Sequence, residues 1–145
     1  MIDNEKVNTS LRQLILLHTA MFLGQFFFLG VMFFIKSGEV REDKFYTFLV
    51  PVLVIIGFVG GHFIYKTLLS RIPASASLDQ RLSSYRSASI AKWALLEGST
   101  LFTIIAYMMT GRMIFVAYVL LLLGVFVINR PTKDKLETEL GLTGL

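Results

Sequence analysis

The sequence predicts an all-α polytopic membrane bundle of four transmembrane helices, with both termini cytoplasmic and the third helix extended into the cytoplasm. Three observations carry this. Hydrophobic residues make up 54% of the 145, 13 are phenylalanine, and the mean hydropathy is +0.67, which leaves too little polar surface for a soluble domain. The apolar residues fall into long runs parted by short polar stretches. The Lys and Arg residues, which leave a formal charge of +4, lie in the flanks of those runs. That placement suits anionic headgroups and topology signals, so the lipid bilayer rather than nucleic acid is the expected partner.

Taken in order, residues 1–10 are polar, and Asn8, Thr9 or Ser10 can cap the helix that follows. The first span is expected over about 11–35, roughly 37 Å at 1.5 Å per residue, enough to cross ~30 Å of hydrocarbon. No small-residue cleavage site follows it, so it reads as a span rather than a cleavable signal. Lys36–Lys44 is a charged turn. The second span, about 45–66, holds Pro51 early and Gly57, Gly60 and Gly61 later. Gly57 and Gly61 form a GxxxG pair, which either lets a neighbouring backbone approach or is simply tolerated in a membrane helix. Pro73 and the small residues after it close this span. Ser77-Leu78-Asp79-Gln80 is a capping box that opens a continuous helix from Leu78 to Met109, of which about 88–109 crosses the membrane. Gly111 suits a left-handed helix end. The fourth span, 113–128, is short, so it tilts little or thins the bilayer locally. Arg130-Pro131-Thr132 breaks it, and 132–145 is an amphipathic tail with Leu136 and Leu140 on one side, expected to lie on the membrane or a partner. The whole chain is one membrane domain.

Ten Lys and Arg flank the N-terminus, the middle connection and the C-tail, against four (Lys36, Arg41, Lys44, Arg112) in the other two connections. The positive-inside rule then puts both termini in the cytoplasm of a cell with an inner (plasma) membrane. A faint internal echo aligns His18–Gly30 with Lys92–Ile104, matching Ala20 with Ala94, Gly24 with Gly98 and Phe28 with Phe102. In a two-plus-two chain the two helices carrying it run in the same direction, as a duplicated hairpin would require.

Glu97 is the residue that most needs explaining, because a charged side chain deep in a membrane helix costs roughly 2.5–3.5 kcal/mol on insertion scales. His18, His62 and Glu97 each fall within about 10 Å of the same inner boundary at 1.5 Å per residue. Gln25 lies two turns beyond His18 on the same face. One reading is a polar cluster of Glu97 with His18 or His62, extended by Gln25, in which burial and a protonated histidine balance the carboxyl and let it handle a proton. The other is a set of interhelical bonds that fix packing, each worth ~0.6–2 kcal/mol. Lys92 and Arg86 could also reach Glu97. Trp93, Tyr85 and Tyr65, with Phe45, Tyr46 and Tyr107 at the other border, read as interfacial anchors, and Phe26–Phe28 with Phe33-Phe34 as lipid-facing or packing residues. The chain lacks cysteine, and no phosphate loop, nucleophile–base pair or dinucleotide fingerprint stands out. No enzyme, cofactor or resident metal is expected.

The stretch ALLEGSTLFTIIAYMM resembles the Glu-bearing helix of rotary ATPase proteolipids over about 16 residues, and that resemblance implies an ion- or proton-carrying Glu97. The glycine-dense inner helices of that family are missing, and Glu97 falls on the first helix of its hairpin rather than the second. Over nearly the whole chain, YRSASIAKWALLEGSTLFTIIAYMMTG, the apolar span after it and NRPTKDKLETEL are similar to small uncharacterised four-span inner-membrane proteins of Bacteroidota-type bacteria, which brings no known activity. Two functions are therefore expected. One is a non-catalytic subunit or partner-binding membrane protein, homo-oligomeric or part of a complex, docking through Leu78–Tyr85 and the tail leucines. The alternative is a small proton- or ion-coupled translocator using Glu97.

Overall fold

The computed structural model describes residues 4–35 and 40–142. Part of the Lys36–Lys44 turn and the last residues of the tail therefore lie outside the described residues. Everything regular is helical: α1 (Asn4–Ile35), α2 (Lys44–Ile55), a π-turn (Ile56–Gly60), α3 (Gly61–Ser70), α4 (Leu78–Thr110), α5 (Met113–Ile128) and α6 (Lys133–Glu139). Three rods are long and apolar enough to cross a membrane: α1, the 27-residue run Lys44–Ser70, and α4. The 16-residue α5 joins them if it is counted with α6, from which it is bent by 72°.

The local signals act where the sequence has them. Ser77 accepts from the Gln80 backbone amide while the Gln80 side chain accepts from the Ser77 amide, so the capping box starts α4. Gly111, at φ 68°, closes the same helix in the left-handed region, with its amide on the Tyr107 carbonyl. Asp43 and Thr132 cap α2 and α6. The start of α1 differs from expectation: the helix is already formed at Asn4, so Asn8, Thr9 and Ser10 are interior residues rather than caps. Tertiary contact explains the extra turns. Val7 is fully buried in the same cluster as Leu82, and the Lys6 ammonium meets Asp79 at 2.9 Å.

The central element is α4. On one side the 44–70 rod runs antiparallel to it, from Tyr46 beside Phe102, through Gly57 against Ser99, to Tyr65 beside Tyr85. On the other, α1 runs parallel to it. Lys6 and Asp79, and Gln13 and Arg86, are each 73 residues apart, and nearly the same register carries His18 to Trp93 and Phe33 to Tyr107. The two helices that share the sequence echo are thus side-by-side neighbours. The short α5 closes the bundle through Val119, Leu122, Leu123 and Phe126. One end of the bundle gathers the start of α1, the 71–77 connection and α6. At the other, the Arg41 amide donates to the Thr110 carbonyl and Arg112 to the Thr47 hydroxyl.

The tail departs most from expectation. Leu136, Leu140 and Leu142 are buried in the chain's own core, so they are not a free docking surface. The Pro131 break turns α6 back onto the bundle. Gly141, at φ 65°, ends it, and Arg81 fixes the end by donating to the carbonyls of Ala74, Ala76 and Leu140. Leu82 and Tyr85 of the α4 extension are buried by the same packing.

Candidate functional site

The polar residues His18, Gln25, His62 and Glu97 are not joined to one another. His18 is buried on α1, its Nε2 2.8 Å from the Phe126 carbonyl oxygen. Its ring stacks on Phe126 (centroids 4.4 Å apart) and meets Trp93 edge-on at 4.9 Å. Trp93 is itself buried and donates from Nε1 to the Asn129 carbonyl at 3.3 Å. The two side chains thus use backbone oxygens at and just past the C-terminal end of α5, where carbonyls have spare acceptor capacity, the Phe126 oxygen being shared with the Asn129 amide. This makes Trp93 a core residue rather than an interfacial anchor, and the same holds for Tyr65, Tyr85 and Tyr107, all buried. Of the other expected anchors, Phe45 is exposed and Tyr46 partly buried.

Glu97 sits one turn further along α4. It is partly buried, and it has no hydrogen bond or ion pair among the described residues. The bases that could have reached it are engaged elsewhere: Arg86 with the Gln13 side chain, Lys92 over the Tyr65 ring at 4.8 Å from its centroid. Gly98 beside it, and Gly24 on α1, face open space, since a Cβ at either would meet nothing within 4 Å. Gln25 is completely buried. Its Nε2 donates to the Met21 carbonyl at 3.3 Å, while its Oε1 is without a partner among the described residues. His62 is exposed on α3, and no three His, Asp or Glu side chains among the described residues converge as metal ligands would. Of the expected cluster of Glu97, His18, His62 and Gln25, the structure therefore makes a helix-tying bond at His18, a buried half-satisfied amide at Gln25, and two unpaired groups.

Two features escaped the sequence reading. The Ser99 hydroxyl lies 2.8 Å from the Leu53 carbonyl on the neighbouring rod and 3.0 Å from its own Leu95 carbonyl, so its single proton ties α4 to the backbone just before the π-turn. The second is a basic cleft where α3, α4, α5 and α6 meet. Lys66, Lys92, Arg130 and Lys135 line it together with Tyr65 and Tyr85, and Glu139 is its one carboxylate among the described residues. No single local motif could have announced it, because its cations come from three distant parts of the chain: Lys66, Lys92, and the stretch that holds both Arg130 and Lys135. No family model, no curated protein and no solved structure matches this chain.

Proposed function

We propose that the chain is a four-span inner-membrane protein, with α5 as the fourth span and both termini cytoplasmic, that acts as a non-catalytic subunit and meets a partner helix along the α1/α4 edge at Glu97. The partner is a second copy or another membrane subunit. The observation that carries this reading is the unpaired, partly buried carboxyl of Glu97 within an apolar span. An acidic group left so in hydrocarbon is expensive, and a donor from a partner helix would satisfy it. Supporting it, Gly24 on α1 and Gly98 on α4 each face open space, which leaves room for close backbone approach, and Leu16, Leu23, Phe27 and Phe34 leave a continuous apolar face on α1. The gathering of the α1 start, the middle connection and α6 at one end agrees with the ten-to-four bias of Lys and Arg.

The chain has no cysteine, so Gly98→Cys gives a single reporter in intact membranes. Mild oxidation should trap a dimer or one discrete heterocomplex, and Glu97→Leu should lower the yield several-fold. No cross-link at 98 or at a second probe such as Leu23→Cys, with a monomer throughout, would end the subunit reading.

The same unpaired carboxyl also favours a second reading, a proton- or ion-coupled translocator in which Glu97 exchanges its proton. Proteoliposomes with a trapped pH-sensitive dye separate the two. A translocator loses its flux in Glu97→Gln at matched insertion, because Gln keeps the hydrogen-bonding shape without titrating. Traces equal to those of empty liposomes, for wild type and variant alike, leave only the subunit.

A further inference from the structure

The basic cleft is a built concavity of 160 Å³ at one end of the bundle. Its cations are unevenly matched. Lys66 holds Glu139 through both carboxylate oxygens, at 2.8 and 3.0 Å. The Lys135 ammonium donates to the Ile128 and Arg130 carbonyls, capping the end of α5. Lys92 touches only the face of Tyr65, and the Arg130 guanidinium has no side-chain partner among the described residues. Among the described residues the one carboxylate and the nearby helix-end carbonyls are therefore already used, and four cations face a cleft with one anion. Like charges brought together this way repel one another unless an anion joins them.

The cleft does not end in solvent on its inner side. A second concavity of 320 Å³ shares Lys92, His62 and Asn129 with it and continues between the π-turn, α4 and α5, walled by Phe58, Val59, Leu96 and Val125. Phe58 and Val59 are more than half exposed, so this groove opens on the bundle's apolar perimeter. A basic pocket at the bundle end leads directly into an apolar groove along the hydrocarbon-facing side. A phosphate headgroup with its acyl chain has that polarity and that order.

We propose that this composite cleft binds one anionic phospholipid, its phosphate held by Lys92 and Arg130 and an acyl chain lying in the Phe58–Val125 groove. The site is independent of Glu97 and of any partner helix, so it stands or falls apart from the subunit reading. It also differs from general attraction of basic flanks to an anionic leaflet, because it is saturable and needs the groove.

The test uses the full chain purified in a neutral detergent, with thermal unfolding and native mass spectrometry as readouts. Dioleoylphosphatidylglycerol should raise the midpoint saturably and be retained as a one-to-one adduct, whereas dioleoylphosphatidylcholine, inorganic phosphate and glycerol phosphate should not. Lys92→Gln and Arg130→Gln should each weaken the lipid effect at least tenfold, and Val125→Phe, which fills the groove, should remove it. Lys44→Gln, at the other end of the bundle, should change nothing. Equal effects of the two lipids, or no loss in Lys92→Gln and Arg130→Gln, would overturn the proposal. An effect of inorganic phosphate matching that of the lipid would overturn it too, in favour of a free-anion site.

Discussion

The two sides of α4 are held in different ways. Toward the 44–70 rod, glycine does the packing. A Cβ on Gly57 would lie 2.5 Å from the Ser99 Oγ and 2.9 Å from its Cβ, and one on Gly61 would lie 3.2 Å from the Lys92 carbonyl oxygen. Here the backbones are close enough for Ser99 to donate across the seam to Leu53. Toward α1 the contact is made by large side chains, with His18 against Trp93 and Phe33 against Tyr107. That seam buries a Gln25 oxygen without a partner and leaves Glu97 unpaired at its edge. Close backbone packing leaves no room for loose polar ends, whereas side-chain packing does. The first seam is finished within the chain, and the second still has polar capacity to offer.

The largest effect should come from filling the glycine seam. Gly57→Leu puts a branched side chain where even a methyl collides with Ser99, so the rods must separate. Overpacking costs typically 1–3 kcal/mol, and with the Ser99–Leu53 bond also broken we expect about 3 kcal/mol, read as lost stability in detergent unfolding. Gly57→Ala should lose less, and Ser99→Gly should partly rescue it, since the two positions share one contact. Equal stabilities for wild type and Gly57→Leu would mean that the backbones are not this close.

On the α1 seam, His18→Ala should cost about 2 kcal/mol. It removes a buried ring packed on two aromatic neighbours, a smaller version of the ~3–5 kcal/mol lost in deleting a core aromatic. The Phe126 carbonyl it leaves still accepts from the Asn129 amide, so no orphan adds to the loss. Gln25→Leu should run the other way. Replacing a buried amide whose oxygen is unpaired by an apolar group of similar size is nearly neutral or stabilising, so the change should stay within about 1 kcal/mol and lean toward gain. A loss above ~2 kcal/mol would show that the Gln25 oxygen has a partner, and would make the two seams alike.

This contrast also marks how far the residues could be read. The helices, the Ser77–Gln80 box and the Gly111 end follow from local chemistry, because spacing and backbone conformation are written in neighbouring residues; at Gly57 and Gly61 the spacing left close approach and mere tolerance both open, and only the folded neighbours decide it. Depth along the axis was legible too, since it depends only on rise per residue. Azimuth was not. A helix with apolar residues all round gives no periodicity to say which face meets which neighbour, so His18, Glu97 and His62 could be set at one depth but not paired. Trp93 and Tyr85 read as interfacial anchors for the same reason. They stand near an expected end of a span, and nothing local says that they turn inward. The fold-back of α6, which buries Leu136 and Leu140, depends on Arg81 reaching three carbonyls, two in the 74–76 stretch and one in the tail. That contact is invisible until the chain is folded.

The smallest effect expected on the fold is at Gly98, and it is the most discriminating. Gly98 and Gly57 are both glycines on apolar helices. Yet a Cβ on Gly98 would meet nothing within 4 Å, and alanine is the better helix former by roughly 1 kcal/mol in water. Gly98→Ala should therefore leave unfolding of the isolated chain within about 0.5 kcal/mol of wild type, or raise it slightly. If a partner helix uses the α1/α4 edge, the added methyl would stand in the way of its closest approach, and the assembled form should weaken several-fold while the isolated chain does not. Unfolding and native-gel assembly measured on the same preparation separate the two quantities. A Gly98→Ala chain that is unchanged in both would move the partner contact away from Gly98, leaving Glu97 to meet it through its longer side chain. A chain destabilised by as much as Gly57→Ala would mean that the open edge is in fact packed, and the difference between the two sides of α4 would disappear.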